Sequence, residues 1–304
     1  GQVQTVSSNQ DSAMGAFNHT LGIDDLTLRY GVEGGTFKQD RTQTSLSVLP
    51  GSPPDFSSQT ESYDLTVGRV YADAIYEITP TLKVEGAAFG VLYDGDAYNE
   101  TEFEPRVGVA WSPVDGHYLR AGYLRESSTL NAATLAPIGV VGLQSNQVPL
   151  DVGGTSDTFA ARWDGQWTDH IFTSVDYQHQ EVDNLAIIVP ASLDQLSVSK
   201  GEIDRVSATI NVWLTHGLGA FATYAHTDSR NRSQDIPGGV PLPYIPEQTA
   251  RFGLTWVNEA NFKVTLAATY VGKRTADVFG ARTLAPYWPA DAFAPWEPFD
   301  KRLA

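Results

Sequence analysis

The sequence has no cysteine among its 304 residues and one methionine, Met14. Without thiols there is no disulfide framework, thiolate zinc site, iron–sulfur ligation or thiol nucleophile. Basic residues are also scarce: 20 Lys and Arg stand against 36 Asp and Glu, a formal charge of −16. That balance argues against a nucleic-acid partner, which needs a basic footprint. No apolar run approaches the ~20 residues of a membrane-spanning helix, but a barrel strand needs only ~9–11 alternating residues, so only helical spans are excluded. The chain opens Gly1-Gln2-Val3-Gln4, without an initiator Met or an apolar leader. It closes on Phe299-Asp300-Lys301-Arg302-Leu303-Ala304, which reads as a strand cut short. The expectation is one domain over 1–304, incomplete at both ends.

What is present is period-two alternation, with almost no capped helical stripes. From Thr158 to Trp167, Phe159, Ala161, Trp163, Gly165 and Trp167 take one face, against Ala160, Arg162, Asp164 and Gln166. Arg205–Leu214 sets Val206, Ala208, Ile210, Val212 and Leu214 against Arg205, Ser207, Thr209 and Asn211, broken only by Trp213. Thr249–Trp256 and Lys263–Tyr270 repeat the pattern through Ala250, Phe252, Leu254, Trp256 and Val264, Leu266, Ala268, Tyr270. With weaker segments the pattern predicts strands near 15–22, 26–37, 63–77, 82–93, 104–112, 117–126, 157–167, 170–181, 203–214, 218–227, 248–257 and 262–272.

Connections alternate between tight turns (23–25, 79–81, 112–116, 168–169, 215–217, 258–261) and long polar segments (38–62, 94–103, 127–156, 182–202, 228–247, 273–298). Short periplasmic turns alternating with long extracellular loops thread a transmembrane β-barrel. Trp111, Tyr118, Trp167, Phe172, Trp213, Trp256 and Phe262 lie close to the tight turns, as interface aromatics do. The fold expected is therefore all-β, an antiparallel transmembrane barrel with about twelve visible strands, part of a slightly larger one. A soluble β-propeller or sandwich is the competing architecture, and it would turn the apolar faces inward.

Certain motifs carry a family resemblance. Phe103-Glu104-Pro105-Arg106-Val107-Gly108-Val109-Ala110-Trp111-Ser112-Pro113, followed by Tyr118-Leu119-Arg120-Ala121-Gly122-Tyr123, resembles a strand-turn-strand unit of TonB-dependent receptor-like barrels. Thr129-Leu130-Asn131-Ala132-Ala133-Thr134-Leu135-Ala136-Pro137 resembles the loop that follows it there, and Tyr244-Ile245-Pro246 a segment before a late strand. The same hairpin and loop are similar to those of outer-membrane barrels preceded by tetratricopeptide repeats. The resemblance implies a place, the outer membrane of a Gram-negative bacterium, rather than a cargo. No plug, TonB-box segment or tetratricopeptide helices accompany it in this sequence, so energised import is not carried over.

On the polar faces, Arg69, Arg106, Arg162, Arg205 and Arg251 fall on five strands of one direction, some way ahead of their turns, and are expected in one broad lumen-lining tier with Asp164 and Asp176. Two readings stay open: a selectivity ring of guanidinium forks, or a structural ladder paired with Glu85, Glu126 and Asp176. Asp94-Gly95-Asp96 resembles the start of a calcium loop but lacks its continuation, so the acidic loops, Asp228 and Asp235 included, read as solvated surface. The histidines are scattered, Asp176 and His179 point to opposite faces, and no catalytic, metal or cofactor motif appears. The protein is expected to be a passage or receptor for a polar solute or polymer, not an enzyme. Alternatives are a polysaccharide-export barrel and a loop-mediated interaction protein with a closed lumen. Its expected partners are outer-membrane lipid, lipopolysaccharide and a periplasmic protein reached through an upstream domain.

Overall fold

The computed structural model describes residues 2–47, 53, 55–95, 99–127, 140–189, 195–234, 236, 238–258 and 262–295. Twelve long strands follow one another: β1 (Gln2–Ile23), β2 (Leu26–Ser47), β3 (Asp55–Thr79), β4 (Leu82–Gly95), β5 (Asn99–Val114), β6 (His117–Ser127), β7 (Leu150–Thr168), β8 (Ile171–Ile188), β9 (Gln195–Thr215), β10 (Leu218–Asn231), β11 (Gln248–Val257) and β12 (Lys263–Val271). Short strands β13 (Arg274–Thr275), β14 (Thr283–Leu284) and β15 (Ala290–Phe293) complete the order. One sheet runs from β1 to β12 in sequence order and adds β15 beside β12, while β13 and β14 pair separately. No helix occurs among the described residues.

All twelve predicted strands are present, and most are longer than predicted. The surplus lies at the long-loop ends, where β2 and β3 run well into 38–62 and β8 and β9 into 182–202. Gly, Ser, Asn and Asp mark those stretches as loop by composition, yet backbone pairing carries the hairpins past the apolar band. The tight turns behave as expected: His216 (φ 45°) and Gly217 (φ 78°) both adopt left-handed backbone, the conformation a two-residue hairpin turn requires.

The decisive feature is which side chains stay exposed. Val206, Ile210, Phe252 and Leu266 are 47, 41, 47 and 55% exposed, so the apolar face does not close on a dry centre. With one continuous antiparallel sheet and no second sheet packed on these residues among those described, the sandwich and propeller readings fall. The run from Val206 to Leu214 is long enough for a tilted strand to cross the hydrocarbon, which takes ~9–11 residues.

The chain divides into two compact units, 1–74, 87–105 and 128–138 in one and 75–86, 106–127 and 139–304 in the other. In the first, Phe37, Leu65, Val67, Tyr71, Phe89, Val91 and Tyr93 form a buried cluster. Leu65, Val67 and Tyr71 alternate on the same face of β3 as Arg69 and Asp73, while Val70 on the other face is exposed. In the second, Val182, Leu185, Ile187, Val198, Ile203 and Leu242 cluster likewise, with Val182 and Ile203 on the faces that carry Gln180 and Arg205. The face opposite the exposed apolar side is therefore not hydrophilic throughout. It is polar in mid-strand and apolar toward the long loops.

Candidate functional site

The polar face of β5 to β12 is built by register. Arg162 on β7 stands opposite Asp176 on β8, and Asp176 opposite Ser207 on β9. Asp176 accepts hydrogen bonds from Gln178 (3.0 Å) and from the Ser207 hydroxyl, and lies 3.7 Å from Arg205. Asp164 takes Arg120 and Arg162 together, the latter at 2.8 Å. Arg106 reaches Glu126 at 3.9 Å, and Arg251 reaches Asp291 on β15 at 2.6 Å. In the first unit, Arg69 meets Glu33 at 2.7 Å with both side chains buried, and Arg29 meets Asp73 at 2.5 Å.

Every one of the five predicted arginines therefore faces a carboxylate, the arrangement of the ladder reading. Glu126 and Asp176 are two of the partners named from sequence. Glu85, the third, accepts a hydrogen bond from the backbone N–H of Val141. In cross-strand register the arginines do not share a row: Arg106 lies opposite Leu124, Arg205 opposite Gln178, Arg162 opposite Asp176 and Arg251 opposite Thr223, four successive rows two residues apart. Partners such as Glu33, Arg120 and Asp291 are invisible to sequence, because a salt bridge between strands depends on register rather than on spacing along one strand.

The segment 140–149 folds back onto this face. Val140 and Leu143 are buried and joined by a bridge, with Val141 (φ 44°) and Gly142 (φ 78°) turning between them. They sit over Gly108 and Gly122, which oppose each other across β5 and β6. Gln178 donates to the Gln144 carbonyl (3.0 Å) and accepts from the Asn146 N–H (2.8 Å), Gln180 donates to the Asn146 carbonyl (2.9 Å), and Ser145 donates to Glu126. Side chains of three strands, β4, β6 and β8, thus hold one strap. The preceding loop motif Thr129–Pro137, and likewise Asp96, Asp235, the turn residues 259–261 and Phe299–Ala304, lie outside the described residues.

The loop after β10 also folds over the polar face. Leu242 is fully buried and packs against the position of Gly201, its N–H bonding to Ser229 (3.2 Å), while Tyr244 N–H bonds to the Thr275 carbonyl (2.8 Å). Beyond it, Asp277 gathers the N–H groups of Ala281 (3.1 Å), Arg282 (2.7 Å) and Phe279 (2.9 Å). The Ala281 bond first, with those from Arg282 and Phe279, holds its carboxyl below the ordinary value of 3.8.

On the apolar face, Trp111, Trp167 and Trp256 keep the expected alternation near the turns and are exposed. Trp163 and Trp167 meet edge to face at 5.6 Å with His117 packed against both, and Phe262 packs on Trp256 at 6.4 Å. Tyr118, Phe172 and Trp213 depart from it: they oppose Asp164, Asn211 and Gly219, placing them in the alternation of the polar face at its turn-ward edge. Toward the loops the same apolar face ends abruptly. Tyr123, Phe159, Tyr177 and Val206 give way, two residues along each strand, to Arg125, Asp157, His179 and Asp204. His179, Glu202 and Asp204 offer ligand atoms within 4.8 Å of one another. However, Arg232 (2.8 Å) and Arg230 (3.3 Å) bond Glu202, so this is an ion-paired shelf rather than a vacant metal cradle.

The family model described as TonB dependent receptor-like, beta-barrel, matches residues 2–303. No curated protein matches the sequence. Among solved structures, the siderophore receptor PiuA from Acinetobacter baumannii superposes with a TM-score of 0.68 at 14% identity, over 96% of this chain and 50% of that one. The ferric yersiniabactin uptake receptor FyuA from Yersinia pestis gives 0.68 at 12% identity, over 98% and 48%. The ferric citrate transporter FecA gives 0.61 at 11%, over 100% and 49%. The chain spans about half the length of the solved structures it matches.

Proposed function

Because the chain belongs to the TonB-dependent receptor-like β-barrel family and lies in the outer membrane of Gram-negative bacteria, we propose that it forms part of the wall of an uptake receptor for a polar solute. The apolar face of the sheet turns to lipid, and the opposite face, with Arg69, Arg106, Arg162, Arg205, Arg251, Asp164 and Asp176, lines the interior of a single barrel domain. The observation that carries this reading is the paired polar mid-section on that face: guanidinium–carboxylate pairs keep a lumen wettable without leaving charges unmatched. The solute class we favour is a metal chelate, from the roles of the similar receptors. Periplasmic TonB is the energy-coupling partner that the family name suggests.

Because each of these arginines faces a carboxylate, selectivity is assigned to the loop-ward apolar clusters and the strap rather than to an arginine ring alone. Two loops that could serve as interaction arms are pinned onto the interior face at Val140–Leu143 and Leu242, which weakens the reading as a loop-mediated docking protein. Polysaccharide export has no specific observation in its favour.

The test is binding and uptake by the full-length protein. Tryptophan fluorescence of folded protein in vesicles, titrated with ferric hydroxamate, catecholate and citrate chelates, is expected to show saturable quenching by one class. Cells lacking the protein are expected to lose uptake of that same chelate. Indifference to every chelate, together with a steady open conductance in planar bilayers, would replace the receptor reading by a passive pore.

A further inference from the structure

The strap is held on the polar face by contacts of two kinds. Val140 and Leu143 fill the space over Gly108 and Gly122, and Gln178 and Gln180 bond its backbone at Gln144 and Asn146. These contacts favour docking outright. Between them the chain reverses at Val141 (φ 44°) and Gly142 (φ 78°), closed by a 2.7 Å bond from the Leu143 N–H to the Val140 carbonyl. Two positive φ values in a two-residue reversal belong to a type I′ turn, which favours Asn, Asp or Gly at its first position.

Valine does not suit that position. Of the five non-glycine residues with positive φ among those described, Asp24, Val141, Asn184, His216 and Tyr244, only Val141 is β-branched. The hairpin turn at His216 and Gly217 has nearly the same angles, 45° and 78°, with a residue that tolerates them. A branched side chain keeps left-handed backbone only where its surroundings impose it, and strain of this kind is concentrated at switch regions. Here the Glu85 carboxylate on β4 imposes it by accepting the Val141 N–H. Glu85 is itself buried, and burial disfavours a carboxylate that water would solvate. Undocking therefore relieves both partners of that bond. At the other end, Val148 and Leu150 pack on the Val182–Leu242 cluster, and the Pro149 carbonyl accepts the Ala186 N–H (2.8 Å). That end stays fixed while 140–147 leaves the wall.

We propose that 140–147 is a latch with a docked and a released arrangement, its balance set by strain at Val141 against the contacts that anchor it. When released, the segment enters the barrel interior and narrows the passage beside β5 to β8. The passage rests on the reading of the polar face as the lumen wall; the latch does not.

The test follows local opening in the folded full-length protein, by amide exchange in detergent and by thiol labelling in cells, with folding checked by heat-modifiable migration. These 304 residues contain no cysteine, so reaction of a polar maleimide at Leu143→Cys, a buried position, reports release when read against the unsubstituted protein. Val141→Asn takes the same backbone with little strain and is expected to slow exchange at the Leu143 and Asn146 amides, and labelling at 143, roughly tenfold. Glu85→Ala should speed both by a similar factor. Amides of β9 and β10 keep their rates in each variant. If Glu85→Ala fails to fold, Glu85→Gln is expected to act in the same direction by less. A strap that is simply packed would loosen when the Val141 side chain, which lies against Gly108, is replaced. Faster or unchanged exchange in Val141→Asn, or no response to either Glu85 variant, would overturn the latch. Exchange that responds as expected while no variant is labelled would uphold the latch and overturn the passage.

Discussion

Gly108 and Gly122 oppose each other across β5 and β6, and a Cβ built on either would lie within 2.8 Å of Val140 Cγ1. The strap rests where two side chains are missing. Gly108→Ala is therefore expected to push Val140 and Val141 off the strand, since the nearest atoms are their side chains rather than fixed backbone. Overpacking of this kind costs about 1–3 kcal/mol. Hydrogen exchange in folded protein should rise at the strap amides, Asn146 in particular, while amides of β9 and β10 keep their protection. Unchanged exchange at the strap would refute the fit.

Facing can be tested with one pair of neighbours. Ala208 is exposed on the lipid side of β9, and Thr209 on the other side shares a hydroxyl contact of 3.0 Å with Thr223. Ala208→Arg places a charge in hydrocarbon near mid-strand and is expected to cost about 2–4 kcal/mol. Thr209→Arg meets a polar wall and should cost markedly less. Denaturant unfolding in lipid vesicles measures both, and equal costs would contradict the orientation of the whole sheet.

These positions show how much the sequence disclosed. Val206, Ile210, Phe252 and Leu266 can be assigned to a face because alternation is local and needs no knowledge of neighbouring strands. Pairing cannot, because Arg251 meets Asp291 only after an Ala-rich segment, 290–293, adds itself to β12, and nothing in its composition announces a strand. Tyr118, Phe172 and Trp213 are picked out by nearness to the turns alone, which says nothing about the face; the alternation of their own strands, which sets Trp213 with Arg205, Ser207, Thr209 and Asn211, already puts them on the polar side. The strap reads as free loop in the sequence because its anchors, Glu85, Glu126, Gln178 and Gln180, lie on strands outside the segment itself.

Asp176 separates structural pairing from ion selectivity. Its side chain is 14% exposed and takes Ser207, Gln178 and Arg205 together, so Asp176→Ala removes charge-assisted hydrogen bonds of a kind worth about 1.5–3 kcal/mol. Stability should fall by an amount in that range. The exposed pair Lys83–Glu77 serves as the contrast, and Glu77→Ala should change stability by at most ~1 kcal/mol. Denaturant unfolding of both variants measures the difference. If Asp176→Ala instead leaves stability intact but alters the charge preference of solute binding, the arginine belongs to recognition rather than to the wall.

The pH response of the loop between β13 and β14 follows from Asp277. Three backbone N–H groups stabilise its ionised form, so its folded pKa lies below the ordinary 3.8. A lowered carboxyl pKa contributes stability that is complete above the unfolded value and disappears as pH falls through the folded one. The amides of Phe279, Ala281 and Arg282 are thus expected to stay protected from neutral pH down to the ordinary carboxylate range, and to lose protection only below it. Asp277→Asn retains one acceptor oxygen but no charge, and should leave these amides less protected than in wild type at neutral pH, with no acid transition of its own. Amide exchange followed across pH on wild type and variant reads both features. A transition centred above the ordinary carboxyl value would mean that burial, not the three N–H donors, dominates the group.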